Sequence, residues 1–347
     1  MCERKERNSN HELLRIIAMF MIVFIHANMY LFKFVHGNVA IFFDAMVCGV
    51  CNIGVSCFIL ISGYYGVKFD IKKFVKMECM MITYSVLETV LLCVFMPEKM
   101  EGGELLEQIV KTLFPFITRK YWFYSTYICL FFLSGYIQKF IDHLDRKEFE
   151  RLLLLLLILF SVLPTFFYFE IVPDNGKGLV QMIMLYMIGR YIRMYRDVKL
   201  PKCAWGVFIL LWVVNGISHE IPIRVGGIYH HLGKDNSISN LIMAVILFYM
   251  FKELRFTSKI INKSAAYIFA VFALNNTLVT IVMKQLFQSG FQSAGGILGF
   301  LTLAGIVTSI LIVCLLIGAV RELMFGRIDR KIGDIIPKII RTNKPLA

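Results

Sequence analysis

The chain has 347 residues, 58% of them hydrophobic and only 18% charged, with a formal net charge of +13. A soluble domain carries roughly 25% charged residues and lacks repeated membrane-length apolar runs, so this composition excludes an ordinary soluble protein. The basic excess is no nucleic-acid footprint, because Lys and Arg fall between the apolar runs, where they act as topology signals.

In chain order, apolar runs of spanning length or near it lie at about 13–32, 41–64, 76–96, 119–137, 152–172, 179–195, 204–218, 237–251, 264–286 and 295–320. Their hydrophobicity is continuous rather than alternating, which predicts helices and not barrel strands. The expected fold is all-α: a polytopic helical membrane bundle of about ten transmembrane helices, forming a single integral-membrane domain over 1–347. The basic leader Arg4-Lys5-Glu6-Arg7 precedes a run too long for a cleaved signal peptide and reads as an uncleaved anchor. With the N-terminus inside, the 37 Lys and Arg divide 28 to 9 between inner and outer segments. That bias predicts both termini in the cytoplasm, with a basic tail over about 321–347 suited to an anionic inner leaflet. Of the longer outer segments, 97–118 contains Gly102-Gly103 and reads as a re-entrant or interfacial helix, and 219–236 is polar and rich in Gly.

The first run holds the most informative pair. Arg15 stands at its inner end and His26 lies eleven residues on, inside the run. Eleven residues at about 100° each return to nearly the same helix face, roughly 16 Å away. An ionisable group in hydrocarbon costs roughly 2.5–3.5 kcal/mol on insertion scales, so it has a partner or a task. One reading makes His26 a general base or acyl relay and Arg15 a phosphate-binding group; the other makes His26 a hydrogen-bonded buried ring and Arg15 a boundary marker.

The second run ends in Ser62-Gly63-Tyr64-Tyr65. Ser62-Gly63 favours close helix approach, and the alternative is a Ser62 nucleophile. Cys48-x-x-Cys51 has a redox or metal spacing, but in an apolar helix without further ligands it reads as packing; all nine cysteines lack a disulfide framework. Glu88, inside the third run, is a candidate partner for His26 or Arg15. Trp122-Phe123-Tyr124-Ser125-Thr126-Tyr127 opens the fourth run, either as an interfacial aromatic belt or as a sugar-stacking wall. Arg190, Arg193 and Arg196 form a basic inner strip, serving topology or docking an anionic nucleotide such as coenzyme A. His219, His230 and His231 match no known metal-ligand spacing, and no metal is expected. Gly295-x-x-x-Gly299 is a helix-packing signal.

Three of these segments carry a resemblance. Leu14-Arg15-Ile16-Ile17-Ala18 leading to His26, Phe58-Ile59-Leu60-Ile61-Ser62-Gly63-Tyr64, and Trp122-Phe123-x-x-x-Tyr127-Ile128 resemble, in order and at family spacing, motifs of the bacterial integral-membrane acyltransferase-3 family. The resemblance implies a multi-pass enzyme of the bacterial cytoplasmic membrane. It would move an acyl group, commonly acetyl from acetyl-coenzyme A, to a hydroxyl of a cell-surface or cell-wall glycan. It makes Arg15 and His26 the positions expected to be essential. One departure stands out: where many members carry a His late in the ninth span, this chain has Asn275, which hydrogen-bonds but takes up no proton at neutral pH.

The resulting expectation is an O-acyltransferase with His26 and Arg15 catalytic. Acyl-coenzyme A is held by Arg15, Arg190, Arg193 and Arg196, and the acceptor is met by Ser62, Tyr64, Trp122, Tyr127 and Asn275. Asn28, Asn275 and Tyr64 are candidate oxyanion donors. Membrane lipid and a glycan or lipid-linked sugar are the expected partners, with no nucleic acid. The competing reading is a transporter or flippase for a glycan or lipid-linked precursor, against which stand the lack of an inverted repeat and of paired Gly/Pro-broken spans.

Overall fold

A computed structural model describes residues 8–31, 38–99, 104–167, 169–197, 199–225, 232–288 and 296–342. The leader Arg4–Arg7, Gly102, Gly103, His230, His231 and Gly295 lie outside the described residues. In chain order the helices are α1 (Ser9–Leu31), α2 (Asn38–Cys51), α3 (Gly54–Tyr65), α4 (Ile71–Phe95), α5 (Glu104–Leu113), α6 (Trp122–Asp142) and α7 (Arg146–Leu157). They continue with α8 (Leu163–Phe167), α9 (Leu179–Met194), α10 (Ala204–Val225), α11 (Ile238–Glu253), α12 (Lys259–Ala265), α13 (Ile268–Gln288) and α14 (Gly296–Thr342). Among the described residues there is no strand.

Each of the ten apolar runs falls on a helix or on a broken helix pair. Among the described residues seven segments are long and apolar enough to cross a membrane: α1, α2 with α3, α4, α7 through α8, α10, α13 and α14. The other three runs lie on α6, α9 and α11, the last two only 16 residues long. Two spans carry internal breaks. The second breaks at Asn52-Ile53. The α7–α8 span passes through a π-turn at Ile158–Val162 just before Pro164, where a ring without an N–H cannot continue a regular ladder. Helix starts follow local chemistry. Asp145 caps α7 in a full capping box with Glu148, and Asp70 caps α4 through the Lys72 N–H.

α1 is the central element. Leu14 and Ala18 pack into a core with α3, α9 and α11. Met19, Val23, Phe24 and Ala27 pack into a second core with α4, α6, α13 and α14. Apolar burial drives helix association weakly inside a membrane, so close approach of backbones matters more. The Ser62-Gly63 segment supplies it: a Cβ on Gly63 would run into the Tyr186 carbonyl, and one on Gly189 would lie 2.5 Å from the Leu60 carbonyl. Those two glycines are what let α3 and α9 touch along their length.

Two further segments have defined structure. α5 is an amphipathic surface helix within the 97–118 segment, tied to α4 by the Thr89 and Thr112 hydroxyls at 2.7 Å, with Leu106 and Leu113 exposed. The basic segment from Arg321 is helical as far as Thr342. It continues α14, and Arg321 is buried, with Nη2 donating to Asp329 Oδ1 at 2.9 Å and to Thr83 of α4 at 3.2 Å. A buried guanidinium needs a carboxylate partner, and Asp329 provides it.

Candidate active site

The face of α1 that carries Arg15 also carries Met19, Ile22, Ile25 and His26, and all five line one cavity of about 520 Å³. Helical spacing alone produces this stripe. Around it α3 contributes Phe58 and Ser62, α6 contributes Trp122, Phe123 and Tyr127, and α13 contributes Phe272 and Asn275. Arg15, Ala265 and Ala266 also line the cavity, as do Glu88, Lys120, Lys177 and Asp235.

His26 is held by one defined contact, Nδ1 to Asn275 Oδ1 at 2.6 Å. Asn275 is buried, and its Nδ2 donates to the Val271 carbonyl at 3.0 Å and the Phe272 carbonyl at 2.8 Å. Those two bonds use the amide hydrogens, so the oxygen must face the ring. An oxygen can only accept, so Nδ1 carries the proton and Nε2 carries the lone pair. The backbone of α13 thereby selects the tautomer of a histidine on α1. This is the arrangement a general base needs: one nitrogen oriented by a partner, the other open for a proton.

Arg15 is partly exposed and its Nη1 donates to both carboxylate oxygens of Glu12, at 2.9 and 3.0 Å. Ser62 Oγ donates to the Phe58 carbonyl at 3.0 Å. Its hydrogen is therefore used within the helix, and Tyr127, 3.4 Å away, is the donor to Ser62 Oγ. A hydroxyl in that state is a wall group rather than an activated nucleophile. Trp122 and Tyr127 both line the cavity, and Phe123 stacks on Tyr127 with ring centroids 6.0 Å apart.

Glu88 pairs with neither His26 nor Arg15. It accepts from the Tyr121 hydroxyl and from Thr277 Oγ1 at 2.5 Å, and Lys120 Nζ lies 3.1 Å away. Charges buried this deeply require such complete pairing. The expected oxyanion donors are likewise engaged elsewhere. Asn28 Nδ2 donates to Asp44, Asn275 Nδ2 to its own helix, and Tyr64 does not line the cavity.

Arg190, Arg193 and Arg196 do not line the cavity. Arg193 stacks over the Tyr64 ring at 5.1 Å and donates to its hydroxyl at 3.3 Å. Arg190 Nε is buried without a partner among the described residues, and Arg196 is exposed. Beside Arg193 sits a residue the sequence reading missed, His11. It bonds the Tyr65 hydroxyl through Nδ1 at 2.6 Å, stacks on Phe248, and has Arg15, Arg193 and Lys252 near enough to act on it electrostatically. A basic, aromatic rim therefore surrounds the Arg15 end.

Lys177 and Asp235 also line the cavity, and no sequence motif marks them. Both sit in short polar loops, Gly176-Lys177-Gly178 and Lys234-Asp235-Asn236, which signal turns but not a shared site. Burial pushes the Asp235 carboxyl up to about 6, against the opposing pull of Lys177. A carboxyl raised on folding favours the folded state most at low pH, and that contribution disappears as pH climbs through about 6. Asp235→Asn should therefore match the wild type in thermal stability near pH 4 and exceed it increasingly up to pH 7. Melting curves in detergent across that range check this, and parallel curves at all pH values would contradict it.

Comparison with known proteins places this geometry in a family. No curated protein and no solved structure matches the chain. The acyltransferase-3 family, described as an acyltransferase domain, matches residues 8–319, which include every helix that lines the cavity. A match over that much of the sequence, on a helical bundle with an oriented histidine in its cavity, makes this protein a member of the acyltransferase-3 family and an acyltransferase.

Proposed function

We propose that the protein spans the bacterial cytoplasmic membrane about ten times, with both termini inside. In this reading it transfers an acyl group, acetyl, from acyl-coenzyme A to a hydroxyl of a cell-surface or cell-wall glycan. The observation that carries the proposal is the His26–Asn275 pair in a cavity that Arg15, Lys120, Lys177, Glu88 and Asp235 also line. The positive-inside bias supports a cytoplasmic position for Arg15, on the side where coenzyme A is found. There Arg15 and the rim formed by His11, Arg190 and Arg193 suit the nucleotide's phosphates. The aromatic wall of Trp122, Phe123 and Tyr127 suits the apolar faces of a sugar, and the glycan enters from the Lys177 and Asp235 end.

The chemistry follows from the tautomer. His26 Nε2 takes the proton of the acceptor hydroxyl as its oxygen attacks the thioester carbonyl carbon. The carbon–sulfur bond breaks, the thiolate of coenzyme A leaves, and the Nε2 proton passes to that sulfur. The products are the glycan ester and free coenzyme A, and His26 ends neutral with Nδ1–H still on Asn275. A donor and an acceptor that approach from opposite ends of one cavity meet without either crossing the membrane.

Purified protein incubated with labelled acetyl-coenzyme A and an envelope glycan should yield labelled, base-labile ester on the glycan together with free thiol. Thiol release without glycan label, or movement of glycan without ester formation, would overturn the proposal.

A further inference from the structure

Asp44 and Cys48 lie one turn apart on α2, and His219 lies on α10. Their carboxylate, sulfur and imidazole ligand atoms all fall within 4.8 Å of one another. His219 Nε2 is 3.1 Å from Asp44 Oδ2, and Cys48 Sγ is 3.9 Å from Asp44 Oδ1. The close crossing of α2 and α10 brings them together. A Cβ on Gly49 would lie 2.8 Å from the Gly216 nitrogen, Trp212 Nε1 donates to the Met46 carbonyl at 2.7 Å, and Asn215 Nδ2 reaches the Gly49 carbonyl at 3.4 Å. Trp212, Asn215 and His219 recur at helical spacing, so one face of α10 reads along α2.

α1 completes the cluster from behind. Asn28 is fully buried, and its Nδ2 donates to Asp44 Oδ1 at 2.6 Å and faces Cys48 Sγ at 3.9 Å. Its Oδ1 is buried with no partner among the described residues. None of Asn28, Asp44, Cys48 and His219 lines the cavity that holds His26, so this cluster is separate from the acyl-transfer site.

We propose that Asp44, Cys48 and His219 bind a zinc ion that ties α2 to α10 against α1. Zinc takes thiolate, imidazole and carboxylate together, at about 2.0–2.3 Å, and a tetrahedron of that size sets its ligands roughly 3–4 Å apart. The two distances above fall in that range. Thiolate in the set disfavours magnesium and calcium. Charge also decides for a divalent ion: one carboxylate, one thiolate and one neutral imidazole around Zn²⁺ sum to zero, the state a buried site tolerates best. Binding releases the Cys48 proton to solvent and leaves His219 ligating through Nε2. Asn28 then acts as the outer hydrogen-bond donor that fixes the carboxylate. Sequence reasoning weighed Cys48 with Cys51 and expected no metal. Cys51, one turn along the same helix, lines the cavity instead.

The test uses the full-length protein, purified in detergent through a tag free of histidine, equilibrated with zinc chloride and dialysed to remove loose metal. Elemental analysis should give about one zinc per chain, retained in Cys51→Ala and His26→Ala and lost in Asp44→Asn and in Cys48→Ser. X-ray absorption at the zinc edge on the wild type needs no folded variant. It should give one sulfur at about 2.3 Å and nitrogen or oxygen at about 2.0–2.1 Å. A wild type that holds no zinc, variants that hold as much as the wild type, or a shell without sulfur or with several sulfurs would overturn the site.

Discussion

His26→Ala removes acyl transfer, and so does His26→Gln, which keeps a hydrogen-bonding side chain of similar reach. General-base catalysis is worth about 10²–10⁴-fold, so kcat should fall by at least that range. The reason lies in what the other polar groups of the cavity are doing. Arg15 is paired with Glu12. Glu88 is saturated by Lys120, Tyr121 and Thr277. Ser62 gives its hydrogen to Phe58, and Tyr124 gives its own to Glu78. Lys177 lies near enough to His26 to act on it electrostatically, but as an ammonium it carries no lone pair, and Asp235 interacts with Lys177. His26 Nε2 is the cavity nitrogen whose lone pair the hydrogen-bond pattern leaves for a substrate proton. The measurement is single-turnover transfer from labelled acetyl-coenzyme A, with gel filtration to verify that each variant remains folded. A His26→Gln protein with near wild-type kcat would eliminate the mechanism.

Asn275→Leu is the second large effect, and it isolates orientation from chemistry. Leucine shares the branched shape of asparagine, though it is bulkier, and offers no oxygen, so Nδ1–H loses its acceptor and the tautomer is no longer selected. We expect kcat to fall by about 10²-fold with KM for acetyl-coenzyme A little changed, since the residue positions the base and does not hold the nucleotide. Asn275→Asp restores an acceptor for Nδ1–H and should recover most of the rate. If both substitutions lower kcat equally, or if KM rises while kcat stays, Asn275 contributes packing or binding rather than orientation. The same argument accounts for the departure from the family pattern. A position that orients an imidazole needs an acceptor of fixed direction, which an asparagine anchored on Val271 and Phe272 supplies.

The legible part of this site was the part carried by one helix. Arg15 and His26 share a stripe of α1 because 3.6 residues per turn dictate it, and in the structure both line the cavity. The Ser62-Gly63 signal for close packing was also local, and Gly63 meets α9 as that signal implies. Glu88 was visible as a buried charge, but its partners were not. Lys120 and Tyr121 lie 32 and 33 residues away and Thr277 lies 189 away, and nothing in linear spacing selects them over Arg15 or His26. Arg190, Arg193 and Arg196 form one basic strip in the sequence. In the structure Arg193 stacks over Tyr64, and the Arg190 guanidinium lies against Gly66 at the end of α3.

Hydropathy, charge placement and helical period are properties of consecutive residues, and from them the chain itself determined an all-helical bundle, the limits of its apolar runs and the stripe that carries Arg15 and His26. Which nitrogen of His26 bears the proton, which groups neutralise Glu88 and Arg321, and whether Cys48 meets Cys51 or Asp44 with His219 were decided only by tertiary packing. A buried polar atom must find its partner somewhere, but the direction of that partner is set by helix crossings between segments up to about 250 residues apart, and no local pattern encodes a crossing.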